Sequence, residues 1–328
     1  MLFRSLIEAN ADRIVFEPIW ALRRQSIWRL LSAGLLSLPA ATFRAMARMR
    51  RNDLIYVNTS VVADYLLAAR FFRSRTLVHI HEIPEGFAKT VLRTLARWSG
   101  AEVIFNSQAT RAAFAPFGAS RGHVVYNGVA GPAAPEATTY DGARPLRVLM
   151  LGRVNRIKGQ EVLLAAVASL PRRLRDRLTL RLVGSAFESE ERERDLRARV
   201  KDLGLAPIVS VEPFTRDTAP LYRWADVVVV PSRLPESLGR VAIEAMSFGR
   251  PPIVSAIGGL TEVVENGKTG WHTPPGDADA IAERLRACIE TPEAWRALFV
   301  VGAVPALFTL WISHRTLNLW SALGILLL

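Results

Sequence analysis

The chain has one cysteine, Cys288, in 328 residues. That excludes a disulfide framework and any multi-cysteine metal site, and it fits a reducing compartment. Acidic residues are scarce relative to basic ones, 30 Asp and Glu against 42 Lys and Arg, for a net charge of +12. Such a balance favours anionic partners: nucleic acid, a phospholipid surface or phosphorylated small molecules. No zinc-finger spacing and no recognition-helix pattern accompanies it, so nucleic acid is set aside as a partner. The opening MLFRSLIEANADR includes acidic side chains and has no continuous apolar stretch, which excludes a secretory leader. Near the other end, the apolar segment 298–312 has 15 uncharged residues interrupted by Pro305, short of the roughly 20 that cross a bilayer. Together with the closing LWSALGILLL it is read as a membrane-seeking or re-entrant tail, 297–328; the competing reading is a buried terminal helix.

There is apolar matter enough for two cores. Half the residues are hydrophobic and 22% are charged, which excludes disorder, and the length suits two α/β domains. Short apolar runs at 54–57, 76–80, 102–105 and 123–126 alternate with helical patterns. That spacing predicts right-handed βαβ units and a parallel sheet. A stretch rich in Ala, Pro, Gly and Thr, 130–144, reads as an interdomain linker. The alternation then restarts, with strands expected at 147–151, 178–183, 208–211, 227–230 and 253–255. Helices are expected at 160–170, 187–203, 239–248 and 278–289, the third of them stopped by Pro251 and Pro252. The result is two doubly wound domains in tandem, 1–135 and 145–296, in which ligands bind at the carboxyl ends of strands and in the cleft between domains. The basic stretches ALRRQSIWR and FRAMARMRR are either solvated faces of amphipathic helices or a face resting on an anionic bilayer.

The most informative segment runs strand VVVVP, loop SRLPES, helix LGRVAIEAMSFG. Glu236 falls in the loop just before the helix, and Glu244 lies on the helix eight positions later. The N–H groups around Leu238, Gly239 and Arg240 are left unpaired by helix geometry and form an anion site. Gly239, lacking a Cβ, allows a phosphate to approach closely. Anion donors flanked by two carboxylates suit a ligand with a diphosphate in the middle and hydroxyl-bearing sugars at both ends. On spacing alone, an ordinary N-cap glutamate and a helix-surface glutamate are the favoured explanation of the pair.

The run from PESLGRVAIEA through GGLTEVVENGKTG to DADAIAERL resembles the donor-binding half of retaining glycosyltransferases of the GT-B fold, family 4. Three motifs carry the likeness: Glu236 and Glu244 separated by seven residues; the turn Gly258, Gly259 with Glu262; and the turn Asn266, Gly267 with Gly270. LGRVNRIKG is similar to the family's Gly-Arg…Lys-Gly loop. The likeness extends from about Leu54 to about Leu298. It implies an α/β chain of GT-B type, two Rossmann-like doubly wound domains facing a cleft, here with an apolar helical tail. It also implies transfer of a hexose-type sugar from a nucleotide-diphosphate sugar to a glycan or lipid-linked acceptor, with retention of anomeric configuration. No Asp-x-Asp pair is placed to hold a metal and no cofactor is expected, cationic side chains taking that part. In the roles so implied, Arg153 and Lys158 clamp the diphosphate, Glu236 touches donor-sugar hydroxyls and Glu244 holds the ribose. Gly152, Gly184, Ser237, Leu238 and Gly239 line the donor site, and Glu212 and Phe214 lie beside the nucleobase. In HIHEIPEG, His81, just past its strand, takes the place of the family's histidine near the anomeric centre, while His79 lies within the strand. FNS (105–107) and YNG (126–128) are turns of the same domain, read as strand-end capping by Asn and Ser.

Two features depart from the family pattern. The chain has no opening strand with a glycine-rich turn, its first residues resembling the helix and strand that follow. Its end is apolar where family members carry charged helices, and PALFTLWISHR resembles a transporter segment. The expectation is therefore an enzyme at the cytoplasmic face of the inner membrane, on an anionic surface. The alternatives are a non-catalytic sugar-nucleotide-binding remnant or truncated form, and a membrane-embedded interaction protein resting on the tail alone.

Overall fold

A computed structural model describes residues 16, 18–22, 35–115, 122–129, 131–132, 136, 138–186, 189–293 and 295. Contacts divide the chain into two units between Asn127 and Gly128. Each is built on one parallel sheet.

In the first unit the apolar runs become β1 (Ile55–Val57), β2 (Thr76–Ile80), β3 (Glu102–Phe105) and β4 (Gly122–Val124), hydrogen-bonded in chain order. Val57 stands beside Val78, Ile80 beside Phe105, and Phe105 beside Val124. Alternation along each strand puts these residues on one face of the sheet. That face buries Met49 of α1 (Leu35–Met49), Leu66 of α2 (Ala63–Ala69), Leu92 of α3 (Gly86–Ser99) and Phe114 of α4 (Gln108–Phe114). Each such side chain contributes roughly 1.5–3 kcal/mol relative to exposure. Tyr56 and His79 alternate onto the opposite face. Residues 18–22 are tied across the start of α2: the Trp20 N–H donates to the buried Asp64 carboxylate at 3.1 Å, and the Ala63 N–H donates to the Trp20 carbonyl at 2.9 Å.

The second unit holds β5 (Leu146–Leu151), β6 (Leu178–Val183), β7 (Val209–Glu212), β8 (Val227–Val230), β9 (Pro252–Ser255) and β10 (Trp271–Thr273) in the order β10-β9-β8-β5-β6-β7. The order reverses between β5 and β8, as in doubly wound sheets. Leu146, Val148, Met150, Leu180 and Val229 face α5 (Gln160–Ser169), α7 (Glu190–Asp202) and α11 (Ala278–Glu290). The intervening Leu149, Leu151, Val228 and Val230 face α8 (Ala219–Trp224), α9 (Arg240–Ser247) and α10 (Leu260–Val263). α6 (Arg172–Arg175) is a single turn before β6. Helices on both faces explain why all four valines of β8 are buried. α9 ends at Ser247, ahead of the prolines expected to stop it; Gly249 (φ 69°) follows in the left-handed region, and the Arg250 N–H reaches back to the Ala245 carbonyl at 2.9 Å.

The later part of the expected linker belongs to this unit. Tyr140 is fully buried and stacks on Trp295 at 6.1 Å. Asp226, 1% exposed, gathers the same stretch: it accepts from the Thr138 hydroxyl (2.5 Å), from Arg144 at both oxygens (2.6 and 2.8 Å) and from the Arg147 N–H (2.9 Å). Among the described residues no helix is long and apolar enough to cross a membrane. The tail 297–328, the chain's opening through residue 15 and most of ALRRQSIWR lie outside the described residues. Asp226→Ala leaves the partly buried Arg144 guanidinium without its buried carboxylate. It is expected to lower stability by about 3 kcal/mol, at the low end for a broken buried pair, read as a shifted urea midpoint with unchanged slope.

Candidate active site

At the reversal of the second sheet, the loops leaving β5, β6, β8 and β9 meet at the strands' carboxyl ends. The first two touch through their glycines: a Cβ on Gly184 would lie 2.0 Å from the Gly152 carbonyl oxygen. The Val154 N–H donates to the Ser185 carbonyl at 3.2 Å. Asn155 folds the rest of the β5 loop, its side-chain oxygen accepting the N–H groups of Ile157 and Lys158, each at 3.0 Å. Gln160 donates to the Arg153 carbonyl at 2.9 Å. So braced, the loop delivers the Lys158 ammonium to Glu236 Oε1 at 2.8 Å, the two side chains being 22% and 12% exposed. Ser232, buried at the end of β8, donates to the same oxygen. Glu236 Oε2 has no partner among the described residues. Arg153 is exposed and pairs with no carboxylate among them.

The loop carrying Glu236 is held by the paired glycines after β9. Gly258 bridges Glu236, and the Gly259 N–H donates to the Glu236 carbonyl at 2.7 Å. A Cβ on Gly259 would meet the Ser237 carbonyl oxygen at 2.5 Å and the Leu238 Cα at 2.6 Å. Gly239 begins α9 in the left-handed region (φ 83°), and a Cβ there would strike Leu260 at 2.5 Å. Leu238 is buried, Ser237 half-buried. The N–H groups of Leu238, Gly239 and Arg240 find no acceptor among the described residues. Glu244, on the body of α9, accepts from the Tyr222 hydroxyl at 2.9 Å and from Arg240 at 3.3 Å.

Lys158 and Glu236 are thus in direct contact, and Gly152 abuts Gly184. Phe214 follows β7, half exposed, its N–H donating to the Ser185 hydroxyl at 3.1 Å. Glu212, expected beside the base, is committed elsewhere: Arg181 donates to both its oxygens, at 2.7 and 2.5 Å, and holds its carboxyl below the usual range. Sequence reading missed Asn155, Gln160, Ser232 and Tyr222. Asn three residues before the lysine was a legible turn signal. A serine four residues before the glutamate was not. Among the described residues no three His, Cys, Asp or Glu side chains gather as metal ligands do.

In the first unit His81 lies just past β2, partly exposed, its ring 3.6 Å from the Glu82 carboxylate. Glu82 joins the loops after β1 and β2: it accepts from the Thr59 hydroxyl, from the Ser60 N–H and hydroxyl (3.2 and 3.0 Å) and from the His81 N–H (3.4 Å). His79, 6% exposed, bonds Tyr56 Oη through Nδ1 at 2.5 Å, and its Nε2 is buried without a partner. Burial, with His81 nearby adding to it, lowers the His79 pKa to about 4, and burial raises that of Tyr56 to about 12.

This second-unit arrangement is that of the nucleotide-binding half of a GT-B protein. Residues 142–298, within this unit, match the family described as glycosyl transferases group 1. Over 162 residues it is 39% identical to the D-inositol 3-phosphate glycosyltransferase of Nocardiopsis dassonvillei, a match covering 48% of this chain and 37% of that protein. The match to its counterpart in Frankia alni is 36% over 163 residues, 48% and 40% of the two chains. The chain therefore spans about two fifths of the length of these relatives. Among solved structures it is similar to HepE of Anabaena in complex with UDP and glucose, with TM-score 0.76, 28% identity, 97% of this chain and 89% of that one. Sucrose-phosphate synthase of Thermosynechococcus elongatus shares the fold, with TM-score 0.68, 24% identity and coverage of 95% and 87%.

Two expectations follow. Gly259→Ala displaces the Glu236 loop and weakens nucleotide binding while the unit stays folded, checked by calorimetry alongside thermal melting. The second concerns pH. A histidine near 4 when folded and near 6.5 when unfolded binds its proton first in the unfolded chain. Stability contributed by neutral His79 is therefore full above pH 6.5 and declines as pH falls toward 4. His79→Gln should flatten the stability profile in that window; an identical slope in both proteins would refute the assignment.

Proposed function

We propose that the chain is a glycosyltransferase that moves a sugar from a nucleotide-diphosphate sugar to a glycan or lipid-linked acceptor, with retention. The observation that carries this reading is the Lys158–Glu236 contact at the switch point of the second sheet, with Arg153 on the same loop as Lys158 and the N–H groups at the start of α9 without an acceptor among the described residues. The Anabaena complexes with UDP and with UDP-glucose support a uridine nucleotide as the first donor to test. The matches to the curated relatives cover about half of this chain and two fifths of theirs, so the inositol 3-phosphate in their names is not carried over to it.

In the proposed reaction Lys158 and Arg153 hold the diphosphate. As the bond between the anomeric carbon and the phosphate oxygen breaks, the electron pair passes to that oxygen, where the two cations stabilise it. The sugar passes through an oxocarbenium-like state. The acceptor hydroxyl oxygen then bonds to the anomeric carbon on the face the phosphate leaves, and its proton goes to the departing phosphate. Glu236, with Oε2 unoccupied, fixes sugar hydroxyls, and Glu244 holds the ribose. Phe214 and the backbone around Gly184 flank the base. The resemblance gives His81 the place near the anomeric centre. A position on an anionic membrane surface is supported by the exposed Phe71 and Trp98 among arginines, with Arg70 stacked 5.7 Å over the Trp98 ring.

A thermal-shift screen of UDP-, GDP- and ADP-sugars, followed by transfer assays, tests the reading. Lys158→Ala should lower turnover by roughly 10²–10³-fold. Glu244→Ala should weaken nucleotide binding by about 1–3 kcal/mol. Tight binding without transfer or donor hydrolysis would leave a binding protein, and no binding at all would end the proposal.

A further inference from the structure

We infer that Tyr222 is a positioning residue that fixes Glu244 for the donor's ribose and so lets the site distinguish ribose from deoxyribose; this rests on the reading of Glu244 as the ribose carboxylate. Tyr222 lies on α8, 22 residues from Glu244, in a helix that supplies nothing else to the donor site. Its side chain is fully buried, and its ring stacks on Phe248 at 5.2 Å and 17°. Its carbonyl accepts from Arg250 Nε at 2.9 Å, so the backbone behind the ring is pinned as well. The hydroxyl points at Glu244 Oε2, 2.9 Å away. Burial and the adjacent carboxylate raise its pKa far above the ordinary value, so it remains a donor at any working pH.

A glutamate on a helix has three rotatable bonds, and a carboxylate can take two vicinal hydroxyls only if both oxygens are presented together. Glu244 has two holds of unequal quality. Arg240, itself 61% exposed, reaches Oε1 at 3.3 Å and is free to leave. Tyr222 cannot move without disturbing the core. It occupies one lone pair of Oε2, leaving the other and most of Oε1 to accept ribose hydroxyls. Fixing the acceptor before the ligand arrives removes an ordering cost that binding would otherwise carry. An invariant packing role for a buried tyrosine would be served equally by phenylalanine; the hydroxyl is what this inference concerns.

The test is calorimetry on the full chain with UDP and 2′-deoxy-UDP, for wild type, Tyr222→Phe and Glu244→Ala, with ADP and 2′-deoxy-ADP run in parallel so that base preference does not mask the sugar effect. Tyr222→Phe keeps the ring and its packing. It should weaken the ribonucleotide roughly 3–10-fold, the scale of one hydrogen bond, and leave the deoxynucleotide within about twofold. Glu244→Ala should erase the preference for ribose altogether. Equal losses for both ligands in Tyr222→Phe would mark a packing role and overturn the inference, as would no loss. If Glu244→Ala binds the ribonucleotide as wild type does, the ribose reading of Glu244 falls and the inference with it. If Glu244→Ala loses the preference while Tyr222→Phe keeps it, only the inference falls. Failure of every nucleotide to bind overturns both.

Discussion

The Lys158–Glu236 ion pair joins two loops that leave adjacent strands, β5 and β8, at the point where the sheet order reverses. Only at that point do loops from neighbouring strands diverge to opposite faces and leave a crevice between them. Spanning it with an ion pair sets the distance between cation and carboxylate. The charges are only partly buried, so the pair is modest as a stabiliser of the fold. As a geometric constraint it is stronger, because Ser232 donates to the same carboxylate oxygen and Asn155 fixes the lysine's backbone. Under the proposed function, an entering diphosphate would offer Lys158 more negative charge than Glu236 does, with Arg153 as a second cation, and would leave the carboxylate its bond to Ser232 and its remaining capacity for hydroxyls.

What holds this pair in place is largely backbone touching backbone. Gly259 is hydrogen-bonded to Glu236 and sits so near Ser237 and Leu238 that no side chain fits. Gly184 lies as close to the Gly152 backbone, and Gly239 to the Leu260 side chain. The site is thus shaped by the absence of Cβ atoms at loop crossings. That explains how paired glycines 22 and 23 residues further along the chain can govern a glutamate they never meet through a side chain.

The strands were legible because both sheets are parallel. Fully buried strands carry continuous apolar runs such as VVVV and TLVHI, and their bounds were read to within a residue or two. β10 was missed: Trp271, His272 and Thr273 are three residues following a turn, too few for any period to register. The later part of the linker stretch was misjudged for a similar reason. Its composition is that of a loop, and one tyrosine, Tyr140, with the hydroxyl of Thr138 and the guanidinium of Arg144, carries it into the core. At the site, the residues proposed to meet a ligand were named by the family motifs. The residues that hold them did not, because Ser232 and Tyr222 act through contacts set by tertiary packing and obey no sequence spacing. Glu212 shows the converse: a carboxylate in the right loop was claimed by Arg181 from the neighbouring strand.

Hydrogen-bond capacity separates the carboxylates that maintain the fold from those left open. Asp226 takes four donors and is buried, so it has nothing to offer a ligand. Glu82 takes four from the loops after β1 and β2, and Glu212 takes two from Arg181 and one from Ser210 at 2.7 Å. An ionised carboxylate has about four acceptor sites. Glu236 uses a single oxygen for both its partners, and Glu244 has one firm bond and one long one. These are the two carboxylates that sit beside unpaired N–H groups at the carboxyl ends of a doubly wound sheet. Incomplete satisfaction at partly buried positions is costly unless something fills it. The proposed donor, a diphosphate between two polyhydroxylated ends, would supply the missing donors at both ends and, for Lys158, Arg153 and the α9 amides, the missing acceptors in the middle.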